Sequence, residues 1–84
     1  MYYVYLLQSQ IDQGWYIGYT SDLRRRLVEH NRGDTISIVH RRPLDLIYYE
    51  AYLDKKDAIG RERFLKSGSG RGFLKKQLVN FLKE

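Results

Sequence analysis

The sequence holds no cysteine. Disulfides, thiolate metal centres and a cysteine nucleophile are thereby excluded, and any bound metal must take oxygen or nitrogen ligands. Long apolar runs are missing too, and the N-terminus lacks the basic, apolar and small-residue succession of a secretion signal. A cytoplasmic protein with no membrane partner is expected. There is no internal repeat, and the only biased stretch is SGSGRG at 67–72. Positive charge, by contrast, is in excess: 15 Lys and Arg against 10 Asp and Glu give a formal charge of +5. That balance suits a phosphate-rich partner. Arg24, Arg25, Arg26, Arg32, His40, Arg41 and Arg42 fall between residues 24 and 42, and Lys66, Arg71, Lys75 and Lys76 follow, an order compatible with one contiguous basic stripe. At 84 residues the chain is expected to form one domain, residues 1–84, with a thin core.

Residues Tyr2 to Gln8 and Gly14 to Tyr19 are rich in Tyr, Val, Leu, Ile and Trp and flank a polar segment with Asp12 and Gly14, the pattern of a hairpin. TSDLRRRLVEHNRG then offers Thr20, Ser21 or Asp22 as N-cap, Leu23 and Leu27 on one face, and Asn31 and Gly33 as a stop, which predicts a first helix. Asp34 to Pro43 shows no sustained pattern and reads as a mobile loop. LDLIYYEAYL predicts a third strand, buried on much of both sides. Asp54 with Asp57 opens a second helix that runs through Lys66, SGSGRG breaks it, and from Phe73 onward Leu74, Leu78, Phe81 and Leu82 predict a third. The fold class is therefore α/β, a small three-stranded antiparallel or mixed sheet with flanking helices in the order β-β-α-β-α-α.

A hairpin turn centred between Ile11 and Asp12 sets Leu7 opposite Tyr16 and Tyr5 opposite Gly18. Tyr3, Tyr5, Tyr16 and Gly18 then share one face, and Gly18 leaves an unfilled patch beside the Tyr5 ring, giving a cleft floored by two phenols. YVY at Tyr3 to Tyr5, YIG at Tyr16 to Gly18 and TSDLRRRLVEHN after it, continued by LIYYEAY and AIGRERFLK, resemble the GIY-YIG nuclease superfamily. The likeness runs from Tyr3 to about Lys66 and is greatest to small single-domain bacterial members; the superfamily also includes the N-terminal module of an excision-repair nuclease subunit. Two departures stand out: Tyr3 occupies the place of the first glycine, and GSGRGFLKK replaces the segment that carries a late asparagine in the repair nuclease.

The resemblance implies a site. Tyr5 and Tyr16 correspond to the two motif tyrosines, one a general base and the other an orienter of water or phosphate; a free phenol with a pKa of about 10 needs a nearby cation for the first role. Aromatic residues in strands are more often packing, and Tyr2, Tyr48, Tyr49 and Tyr52 are left to that. Arg26, ten residues after Tyr16, matches the family arginine, a two-pronged grip for phosphate oxygens, and His30 matches a frequent motif histidine able to relay a proton. Glu62 falls at the metal-binding glutamate. On its helix it shares a face with Ala58 and Leu65, so the carboxylate needs a partner: Mg²⁺ or Mn²⁺, or an ion pair with Arg26 or Arg61. Glu50 is a weaker candidate for the same neighbourhood. Arg24, Arg41, Arg42, Lys66, Arg71 and Lys75 are the expected nucleic-acid contacts, with SGSGRG and Arg71 a plausible phosphate seat.

The implied activity is metal-dependent endonucleolytic hydrolysis of DNA, structure-selective or weakly specific, in a repair setting. No specificity domain fits into 84 residues, so a protein partner would have to supply sequence recognition. The alternatives are a non-catalytic module that binds DNA or RNA and, more remotely, a scaffold whose tyrosine cleft meets a protein.

Overall fold

A computed structural model describes residues Met1–Glu84. Strand β1 (Tyr2–Ser9) turns into β2 (Trp15–Thr20), followed by helix α1 (Leu23–Arg32), a 3₁₀ helix (Ile36–Arg41), β3 (Leu44–Tyr52) and helices α2 (Lys55–Lys66), α3 (Gly68–Gln77) and α4 (Val79–Leu82). The sheet has the order β2-β1-β3 and is antiparallel throughout. No helix is long and apolar enough to cross a membrane.

The predicted hairpin register holds: Tyr5 pairs with Gly18 and Leu7 with Tyr16. The turn is built by Ser9, whose Oγ accepts from the Ile11 and Asp12 amides, and by Asp12, whose carboxylate accepts from Gly14 N–H. Because side chains alternate, Val4, Leu6 and Ile17 face one way and pack with Ala58, Leu65 and Leu74 of α2 and α3. Leu7 faces the other way, with Ile38 and Leu44 and with Tyr16, Leu27 and Leu46 around them. The two helical layers thus lie on opposite faces of the sheet.

Caps explain the helix limits. Asp22 accepts from Arg25 N–H at the start of α1, and Gly33, at φ 98°, ends it in the left-handed region open to glycine. Asp54 caps α2 by accepting from Lys56 N–H.

Three expectations need correction. Residues 36–41 form the 3₁₀ helix instead of a loop, anchored by the buried Ile38. SGSGRG does end α2 at Lys66, but the third helix starts at Gly68 and not at Phe73, with Ser67 capping it by accepting from Gly70 N–H, and it stops at Gln77 before the short α4. A Cβ at Gly70 would run into the Phe64 carbonyl, so glycine is what lets α3 start against the end of α2. Finally, β3 is an edge strand, and only Leu44 in it is fully buried; Tyr49 stays 53% exposed. A β-bulge opposite Leu6 and Leu7 inserts Ile47, so Leu44 and Leu46 face α1 while Tyr48, Glu50 and Tyr52 face α2.

Candidate active site

Tyr5 is the centre of the site. Its ring lies across Gly18 rather than beside an unfilled patch, so the glycine is the seat of the phenol. Only 2% of the residue is exposed. The Tyr5 hydroxyl stands 2.7 Å from His30 Nε2, and Thr35 Oγ1 stands 2.8 Å from His30 Nδ1. Burial, and after it the Arg26 cation, lowers the pKa of His30, so the imidazole is neutral near pH 7 and donates through one nitrogen while accepting through the other. Thr35, His30 and Tyr5 therefore form a directional chain of hydrogen bonds.

Tyr16, partly exposed, packs against both partners, edge-on to His30 at 5.2 Å and tilted against Tyr5 at 6.4 Å between centroids. Burial and the neighbouring Tyr16 push the Tyr5 phenol up to about 12; Arg26 pulls it down, and Glu62 pushes it up. Tyr5 thus bonds to His30, packs against Tyr16 and feels the charges of Arg26 and Glu62, so the other four residues predicted for catalysis and metal binding all act on this phenol. Arg26 itself donates from Nη1 to Glu29 Oε1 at 3.1 Å, which, with the nearby phenol, raises its pKa against the opposing effect of burial. Glu29 and Thr35 were not anticipated. Each lies within five residues of His30 in the chain, yet nothing in their pattern marks them.

Glu62 is about 20% exposed at its side chain, flanked by the buried Ala58 and Leu65, and its partner is Lys66 Nζ at 3.2 Å, neither Arg26 nor Arg61. No three His, Asp or Glu side chains meet as a metal cage. Magnesium keeps several waters and binds through one or two carboxylates, so this single carboxylate fits a hydrated Mg²⁺ or Mn²⁺ once the half-exposed Lys66 swings aside.

Glu50 does not join Glu62. The bulge turns it towards α2, where its carboxylate accepts from Tyr48 (2.5 Å), Tyr52 (2.6 Å) and Arg61 Nε and Nη2 (2.8 and 3.0 Å). Burial pushes Glu50 up, but these four bonds outweigh it and hold its pKa below the ordinary value. Tyr48 and Tyr52, set aside as packing, are held at about 12 by burial and this carboxylate. Arg61 also lies over the Phe73 ring at 4.5 Å, pinning α2 and α3 to β3.

The basic residues do not make one stripe. Arg24 lines a groove of about 480 Å³ between the start of α1 and Tyr49, on the α1 face. Arg71 and Lys75 line a separate one beside the hairpin. Arg41 reaches Asp12 at 3.4 Å and covers Gly14, and Arg42 donates to the Val39 and Asn31 carbonyls, so both guanidiniums have partners within the chain. Arg32 is paired with Asp34.

A family profile described as the GIY-YIG catalytic domain matches residues 1–77. The chain belongs to the GIY-YIG family. The match extends past the motifs through α3, and the domain is of nuclease type, with DNA as the partner class of the family's nucleases. Among curated relatives, a UPF0213 protein of Streptococcus pneumoniae is 42% identical over 65 residues, 76% of this chain and 65% of that one. Another from Pediococcus acidilactici is 38% identical over 77 residues, covering 88% and 78%. This GIY-YIG chain therefore spans about two thirds to three quarters of the length of those relatives. The solution NMR structure of a UPF0213 protein from Bacillus halodurans superposes with a TM-score of 0.56 at 36% identity, over 96% of this chain and 85% of that one.

Proposed function

We propose that the protein is a metal-dependent endonuclease that hydrolyses DNA phosphodiesters. The observation that carries this reading is the hydrogen bond of His30 to the Tyr5 phenol with Tyr16 packed against both rings, and the charges of Arg26 and Glu62 act on the same phenol. Hydrolysis needs a base for water, cationic stabilisation of the charged phosphorus centre and help for the leaving oxygen. Tyr5, buried and pushed up to about 12, is a poor base by itself, because its proton would have to pass to a histidine whose own pKa burial and Arg26 lower. Its role is to orient, through His30 and Thr35.

Tyr16 is the more exposed phenol and faces water and phosphate. Arg26, exchanging Glu29 for the substrate, grips two phosphate oxygens. Glu62 holds the cation, which acidifies a water and polarises the phosphate when bound. Specificity is structure-selective or weak, and the repair setting and any protein partner belong to the same proposal.

One observation favours the alternative of a non-catalytic binding module: Glu62 already has a cationic partner and belongs to no cluster of three or more metal-ligating side chains. The test is cleavage of labelled single-stranded, duplex, flap and branched DNA with Mg²⁺ or Mn²⁺ by the wild type, Tyr16→Phe, Arg26→Ala and, as a control, the exposed Lys56→Ala. Cleavage that is lost in the first two variants and kept in Lys56→Ala is expected. No cleavage of any substrate, alongside salt-sensitive binding without metal, establishes the alternative.

A further inference from the structure

Beside the hairpin, on the face opposite α1, a groove of about 680 Å³ runs between Gln8, Gln13 and Trp15 on one side and Arg71, Lys75 and Phe81 on the other. We infer that this groove seats an unpaired nucleotide of the DNA strand. Its volume falls in the range of small-molecule sites. Arg71 and Lys75 are four apart on α3, both exposed, and neither has an acidic partner. The one acid at the groove is Glu84.

The aromatic groups are equally disposed for a ligand. Trp15 Nε1 donates to Gln8 Oε1 at 2.9 Å, and Gln8 in turn donates to Gln13 Oε1 at 2.8 Å, which fixes the indole plane and satisfies its only polar atom. Phe81 is 40% exposed. Aromatic faces with adjacent cations take a base by stacking and its phosphate by charge, without regard to sequence. A paired base must first leave its duplex, so the groove favours strands that are already open.

The position ties the groove to the candidate active site. Trp15 and Tyr16 are neighbours on β2, one of the two edge strands, with Cα atoms about 3.8 Å apart and side chains on opposite faces. A strand crossing the β2 edge meets Tyr16 on one side and Trp15 on the other. The inference rests on the nuclease reading for the identity of the strand, and its test is independent of cleavage.

Trp15 is the chain's only tryptophan, so its emission reports the groove directly. The probe is oligothymidylate in EDTA, compared with an abasic strand of the same length and with a duplex. Saturable quenching by oligothymidylate is expected, with little from the duplex, and the abasic strand should bind roughly ten-fold more weakly. Phe81→Ala should weaken oligothymidylate by a similar factor. Lys75→Ala should reduce the salt dependence by about one counterion. Equal quenching by the abasic strand, or binding with no change in emission, overturns the proposal; in the second case the exposed Val79, Phe81 and Leu82 are left to a protein partner. Glu62→Ala should quench as the wild type does. A protein that quenches and never cuts refutes the nuclease reading alone, and one that cuts without quenching refutes the groove alone.

Discussion

Replacing Gly18 by alanine tests the seat of Tyr5. An added Cβ lands on the Tyr5 hydroxyl and Cζ and stands 2.7 Å from Cε1, where carbon contacts want about 3.5 Å or more. The ring has to move, because β1 and β2 are fixed by their pairing at this position. Overpacking of this kind costs about 1–3 kcal/mol. The displaced hydroxyl also leaves His30 Nε2, which is fully buried, for about 1 kcal/mol more. A loss of about 2–4 kcal/mol lowers the melting temperature of a domain this size by roughly 10–25 °C. It is within reach of the whole stability, about 4–13 kcal/mol at typical values per residue. Gly60→Ala is the control: nothing lies within 4 Å of its Cβ, it sits inside α2, and alanine there should stabilise by about 0.5–1 kcal/mol. Thermal melts followed by circular dichroism, with cleavage measured well below both transitions, read the two variants. If Gly18→Ala melts with the wild type, Tyr5 is not seated on Gly18 and the geometry derived from it fails.

Other outcomes follow from the same contacts. His30 resists protonation in the fold while the unfolded chain takes up that proton near pH 6.5, so stability should fall as pH drops below about 6.5, and His30→Gln should flatten this part of a melting series against pH. Glu50, whose pKa is held down, adds a separate loss only as pH falls below about 4.3, the unfolded value, and Glu50→Gln should remove that loss. The same substitution at neutral pH should cost about 2 kcal/mol in urea melts, below the figure for a fully buried pair because Arg61 is 26% exposed. Lys66→Ala breaks only a half-exposed pair and should change stability by less than about 0.5 kcal/mol, while lowering the Mg²⁺ concentration for half-maximal cleavage; an unchanged requirement would show that Lys66 does not compete for Glu62.

The hairpin was legible because a short polar turn leaves few registers, and alternation then placed Tyr3, Tyr5, Tyr16 and Gly18 on one face. The limits of α1 and α2 were legible because Asp22, Gly33 and Asp54 act locally. Glu50 was not. One inserted residue, Ile47, reverses the parity of everything after it in β3, and no local signal in a run this rich in apolar and aromatic residues distinguishes a bulge from a regular strand. SGSGRG misled for a related reason: glycine lowers helix propensity, but the tight approach of α3 to α2 is a tertiary demand that only the packed chain reveals. Arg41 and Arg42 read as free cations because their partners, Asp12 and the Asn31 and Val39 carbonyls, are set by the fold and not by spacing. Which of the two phenols faces water was likewise decided by burial, with Tyr5 beneath and Tyr16 above.

The most direct measurement is a Mg²⁺ titration of DNA cleavage by wild type and Glu62→Ala, with binding to the same DNA read in parallel without metal. Saturable, EDTA-reversible cleavage by the wild type is expected, with cleavage lost and binding kept in Glu62→Ala. Equal cleavage by both proteins would contradict the assignment of Glu62 as the metal ligand and, with it, the catalytic site built around Tyr5.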